Sequence, residues 1–123
     1  MAAPNMAGLT TVTGKSVIAA LTTSAATIIN NAAASGTVVK VNSLYVSNVD
    51  GTNAATVTIG VYPEDDIGGT PRYLAKVISI PAGSTLIVVS KETYLYLEED
   101  ESIGGLASAD GDLEVVAAYE VIS

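Results

Sequence analysis

Residues 36–62, GTVVKVNSLYVSNVDGTNAATVTIGVY, decide the fold. Two runs rich in β-branched residues flank Asp50-Gly51-Thr52-Asn53. Val, Ile and Thr suit a pleated, half-buried surface. Asp-Gly between alternating apolar runs is a strong hairpin signal, because glycine reaches positive φ without strain. The stretch therefore predicts two antiparallel strands joined by a hairpin turn at Asp50-Gly51. Ala55, Val57, Ile59 and Val61 fall on one face, and Thr56, Thr58 and Gly60 on the other. The alternation slips between Val39/Val41 and Leu44/Val46, which predicts a bulge near Asn42-Ser43.

The same pattern extends in both directions. Towards the C-terminus, residues 63–71 hold two prolines, two glycines and an acidic run, and read as a loop. Tyr73 to Ile80 reads as a strand and Pro81-Ala82-Gly83-Ser84 as a turn. The continuous apolar run 86–89 predicts a strand buried on both faces. Residues 94–97 form a short strand, 98–102 an acidic turn, and 102–109 a Gly-containing strand. Asp110-Gly111-Asp112 predicts a further hairpin turn before Leu113, Val115, Ala117, Tyr119 and Val121 alternate to the end. Towards the N-terminus, Val17, Ala20, Leu21, Ser24, Ala25, Ile28, Ile29 and Ala32 make a helix-like stripe. The threonines at 10, 11, 13, 22, 23 and 27 oppose it and favour two or three short strands over residues 9–35. Residues 1–8 read as an extended arm, and 9–123 as one domain. About eight strands with regularly spaced turns predict an all-β fold, a single antiparallel β-sandwich of jelly-roll type.

Composition narrows the chemistry. The chain of 123 residues has no Cys and no His. Disulfides, thiolate chemistry and the usual zinc sites are excluded, and the commonest neutral-pH general base is missing. Five basic against thirteen acidic residues give a net charge of −8, which disfavours nucleic acid and anionic membranes as partners. No window reaches the length of a membrane-spanning helix, and the start lacks the pattern of a signal peptide. With no Phe and no Trp, the core must be built from small and branched side chains, or completed by a partner subunit.

Two acidic runs, Glu64-Asp65-Asp66 and Glu98-Glu99-Asp100-Glu101, read as solvated loops, with a calcium site as the sharper alternative. The six tyrosines suit strand-edge and interface packing, or a glycan-binding face. Tyr94 and Tyr96 share a face at two-residue spacing and are the best pair for a contact surface. No serine elbow, phosphate cradle or metal loop is complete. No catalytic residue and no cofactor is expected.

Three segments together resemble small structural proteins of tailed bacteriophages: SLYVSNVDGTNAATV at 43–57, IPAGSTL at 80–86, and YLYLEEDESI at 94–103 followed by the last strand. The MAAPN start is similar to virion proteins of contractile-tailed phages of marine cyanobacteria. Chains of the family it resembles often carry Glu-Gly-Asp where this one has Glu99-Asp100-Glu101. The resemblance implies a non-enzymatic virion component, placed on the outer surface of the particle and made in the host cytoplasm. A head decoration or cement protein bound between major capsid subunits is the first expectation. A tail, neck or fibre-associated module contacting other virion proteins or host glycans is the second. Partners are then the major capsid protein or other virion proteins, with a trimer or other cyclic homo-oligomer expected. The candidate interaction surface comprises Tyr94 and Tyr96, the turn residues Asp50, Gly51 and Asn53, and the arm residues Pro4, Asn5 and Met6.

Overall fold

A computed structural model describes residues 7, 8 and 10–123. The described residues form nine strands: β1 (Val12–Ala20), β2 (Ala26–Asn31), β3 (Val38–Asn48), β4 (Ala55–Tyr62), β5 (Arg72–Ile80), β6 (Thr85–Val89), β7 (Leu95–Leu97), β8 (Glu101–Ala107) and β9 (Leu113–Ile122). Residues 10–35 therefore contain two strands and no helix. The arm at 1–8 falls almost wholly outside the described residues.

The strands make two antiparallel sheets, ordered β1-β9-β3-β6, with β7 also on β3, and β2-β8-β4-β5. The chain crosses between the sheets at nearly every connection, and only β4 and β5 are both sequential and paired across a wide loop. This is the jelly-roll arrangement, in which two sheets face each other over one core. The all-β sandwich read from the sequence is the observed fold.

Its connections differ from the sequence reading. β3 lies in the first sheet and β4 in the second, so residues 49–54 form a corner between sheets and no hairpin. Gly51 is absent from the positive-φ glycines, which are Gly36, Gly69, Gly83 and Gly111. The alternating patterns of β3 and β4 were correctly legible, but two amphipathic strands can bury their apolar faces against each other across a core as well as side by side. Asp110-Gly111-Asp112 likewise links β8 in one sheet to β9 in the other. β6 is an edge strand with Ile87 exposed outward, so its apolar run is not buried on both faces. The predicted bulge is present, with the β3–β9 register shifting between Val41 and Ser43.

The core is made of inward-facing Val, Ile, Leu and Ala, among them Val41, Leu44, Val57, Ile59, Ile103 and Val115. Two adjacent glycines let other groups approach β8 closely on both sides. A Cβ at Gly105 would lie 2.6 Å from Ile59 Cδ1 and 3.0 Å from the Thr58 carbonyl. A Cβ at Gly104 would collide with the Ile67 methyl and come 3.0 Å from the Ala26 carbonyl. Ile67 belongs to the 63–71 loop, so bare backbone at Gly104 gives that loop its seat on the sheet.

Gly104→Ala and Gly105→Ala should each destabilise the fold by about 1–3 kcal/mol, because overpacking outweighs the entropic gain of losing a glycine. Gly14→Ala, whose Cβ meets nothing within 4 Å, should be neutral or slightly stabilising. Urea denaturation of the three variants checks the contrast.

Candidate interaction surface

The Tyr94–Tyr96 region is built by an interruption. After β6, Ser90 and Thr93 close a tight turn in which Ser90 N–H donates to Thr93 Oγ1 at 3.0 Å and Thr93 N–H donates to Ser90 O at 3.0 Å. The chain then rejoins β3 as β7, with Tyr96 opposite Lys40 and Leu95 opposite Val41. Leu97 enters the core, while Tyr94 and Tyr96 are 47% and 43% exposed. Their rings meet edge to face, with centroids 5.8 Å apart. The Lys40 ammonium sits 4.5 Å from the Tyr94 ring centre, a cation–π contact.

The Asn42 bulge opens the surface beside this pair. An open depression of about 520 Å³ is lined by Lys40, Asn42, Ser43, Lys91, Tyr94 and Glu120. Asn42 Nδ2 donates to Glu120 Oε1 at 2.9 Å. Two of the five basic residues of the chain therefore line one depression. The slip in alternation pointed to this bulge, but nothing in the sequence tied Lys40 and Glu120 to the tyrosines, because β7 and β9 join β3 from more than fifty residues away.

Asp50, Gly51 and Asn53 lie elsewhere. They sit just beyond the Asn48 end of β3, whereas Lys40 and the tyrosines flank its start. Eight residues of strand separate the two, roughly 27 Å at strand rise. The structure thus splits the sequence-predicted residues into two patches, and Pro4, Asn5 and Met6 lie outside the described residues.

The Asp50 patch is a pinned corner. Asn48, buried at the end of β3, donates from Nδ2 to Asn53 O at 3.0 Å and to Ile80 O at 2.9 Å. Its Oδ1 accepts from Asp50 N–H at 2.9 Å. The Asp50 carboxylate in turn accepts from Thr52 N–H at 2.8 Å and Asn53 N–H at 3.2 Å. Those bonds, the Thr52 one foremost, hold its pKa below the ordinary value of 3.8.

The two acidic runs are not simply solvated loops. They meet, with Asp65 N–H donating to Asp100 Oδ1 at 3.1 Å. Asp65 Oδ2 accepts from Ala33 N–H, Asp66 Oδ1 from the Thr27 hydroxyl, and buried Glu99 from Gly36 N–H. Among the described residues no three acidic side chains converge as a metal cluster. Asp100 lies at φ 66°, the left-handed conformation that glycine favours.

With this geometry in place, solved structures supply comparison. The chain is similar to a subunit of the disulfide-linked pili of Bacillus endospore appendages, with TM-score 0.54 and 14% identity over 99% of this chain and 95% of that one. That likeness shows the fold. Weaker similarity links it to a pentameric capsid protein isolated from metagenomic phage sequences, with TM-score 0.41 and 16% identity over 85% of this chain and 60% of that one. A chain of the T13 IBDV viral particle follows, with TM-score 0.43 and 9% identity over 90% of this chain but only 31% of that one. No family model matches the chain, and no curated protein matches it.

Asn48→Ala should cost about 1–3 kcal/mol, since two carbonyls and one N–H lose their partner. Asn48→Asp should cost more, because an acceptor then faces the Asn53 and Ile80 carbonyls. Thermal melts order the two. For Asp50 the lowered folded-state pKa contributes stability that is present above the unfolded value and lost as pH falls through the folded one. The stability gap between the parent and Asp50→Ala should therefore be full at pH 6 and close as the pH drops below 3.8, read by urea titration at each pH.

Proposed function

We propose that the chain is a non-enzymatic structural protein of a phage particle, a head decoration or cement protein that binds between major capsid subunits from outside. One observation carries this reading. The acidic loops and buried asparagines are engaged in holding the fold's own backbone, while the exposed apolar side chains lie on strand edges and sheet faces. Such a surface suits contact with other protein shells. The sequence resemblance to phage virion proteins supports the same role. The pilus subunit of similar fold is described as disulfide-linked, whereas this chain has no cysteine and would hold its neighbours by non-covalent contacts. On this reading it is made in the host cytoplasm, acts on the outer virion surface, and takes no cofactor. The corner at Asp50, Gly51 and Asn53 and the arm at Pro4, Asn5 and Met6 supply contacts to capsid subunits.

The depression beside Tyr94 favours a second reading, a tail or fibre-associated module that takes a host glycan. Exposed aromatic rings next to Asn42, Lys40 and Glu120 offer stacking and hydrogen bonding together.

Immunogold labelling of intact particles should place the chain on the head, and the purified chain should rebind stripped heads saturably and raise their heat-rupture temperature. Absence from every particle overturns both readings. Glycan-array binding lost in Tyr94→Ala and Tyr96→Ala, without head binding, selects the second.

A further inference from the structure

The four free edges of the sandwich are not alike. In the second sheet, β5 is bulged: Lys76 and Val77 intervene between the Ile59–Ala75 and Val57–Ile78 pairs. Val77 lies at φ 51° and its N–H donates to Thr58 Oγ1 at 3.1 Å. A bulge of this kind twists an edge away from a flat partner strand. The opposite edge, β2, has a register break between Thr27 and Ile29. The 63–71 loop also grips that strand and its end through Thr27, Asn30 and Ala33. Both edges of the second sheet are protected against strand addition.

The edges of the first sheet carry neither a clamping loop nor a left-handed residue, although β6 has one register break against β3, at Val88 between the Leu44–Val89 and Tyr45–Ile87 pairs. β1 pairs with β9 through nine residues in unbroken register. It is exposed along nearly its whole length, with Val17 alone partly covered. Lys15 is its one charge, and β6 carries neither charge nor proline.

These two edges also fit each other. Ile18 is opposite Val116, Val116 opposite Tyr45, and Tyr45 opposite Ile87, so one row crosses β1, β9, β3 and β6 on the outer face. The row ends in the most exposed large apolar side chains among the described residues, Ile18 at 83% and Ile87 at 66%. Every neighbouring pair along this path is antiparallel, so β1 and β6 run in opposite directions. A second copy shifted along the sheet would bring its β6 antiparallel to β1, continuing both the sheet and the apolar row.

We propose that β1 of one copy pairs with β6 of the next, with Ile18 beside the neighbour's Ile87 and Ala20 beside its Thr85. The contact is strand addition between copies of this chain. It joins two different surfaces, so it is heterologous: it closes a ring if the rotation per step allows, and otherwise grows as an open series. It concerns copy-to-copy contact alone and stands whether or not the chain binds capsids.

The isolated full chain should show concentration-dependent oligomers by analytical ultracentrifugation. Ile18→Asp and Ile87→Asp, both at exposed positions and checked for native circular dichroism, should each be monomeric, with at least a tenfold loss of association. Mixed together they should give a one-to-one dimer that cannot grow, because each variant retains the edge that the other lacks. Oxidation of the Ile18→Cys, Ile87→Cys double variant should give a ladder of covalent oligomers on a background free of native cysteine. A parent chain that stays monomeric at millimolar concentration overturns the proposal. So does an Ile87→Asp variant that still dimerises by itself, since that would mean β1 pairs with β1.

Discussion

Two buried asparagines hold the sandwich at opposite ends of β3, and the rest of the topology depends on them. Asn31 closes β2 and donates to the Thr37 and Leu97 carbonyls at 3.0 and 3.1 Å. Asn48 closes β3 and donates to the Asn53 and Ile80 carbonyls. Each sits where the chain leaves one sheet for the other, and so where the ladder can no longer satisfy backbone groups. A buried carbonyl without a partner is costly. A side-chain amide supplies two donors and an acceptor in one place. Asn31 uses all of them, with Ser35 and Thr37 hydroxyls donating to its Oδ1. No buried side-chain nitrogen or oxygen among the described residues lacks a hydrogen-bond partner.

Those clamps explain what was and was not legible in the sequence. Strand identity was legible because period-two alternation depends only on one face being buried. Ala55, Val57 and Ile59 face the core whichever sheet they join. The partner of each strand was not legible, since alternation is the same for a hairpin and for a cross-core corner. Asp50-Gly51 looked like a hairpin turn because its chemistry favours any tight reversal. What decides the outcome is Asn48 reaching across to Ile80, a contact 32 residues away. The bulge at Asn42 was readable because it shifts the alternation itself. The depression it opens was not, because its lining comes from β3, β9 and the turn before β7.

The acidic loops follow the same logic. Read singly, each run of carboxylates belongs to water. Folded together, 63–71 and 98–102 supply one another's missing partners, as Asp100 does for Asp65 N–H and Ser102 for Ile67 N–H at 2.9 Å. Their carboxylates are thereby fixed on backbone donors, as Asp65 is on Ala33 N–H and Glu99 on Gly36 N–H. Charge that looks like a metal site in sequence here seats a loop over Gly104.

The aromatic residues complete the argument about function. A core of Val, Ile, Leu and Ala fills the gap between the two sheets without a single fully buried ring, since none of the six tyrosines is among the buried residues. Tyr119 is partly covered against the core, while Tyr45, Tyr73, Tyr94 and Tyr96 stand exposed. Large rings usually dominate core energetics, and they are also the side chains that anchor interfaces. A chain that places them only at its margins leaves them available to partners. Tyr45 lies in the apolar row that runs from β1 to β6, and Tyr94 lines the depression next to Lys40. The net charge of −8 makes approach between copies repulsive at long range, and screening confines that repulsion to about 8 Å at physiological salt. On the proposed role, attachment therefore rests on short-range, directional contacts. Open strand edges and exposed rings are the two kinds this surface provides.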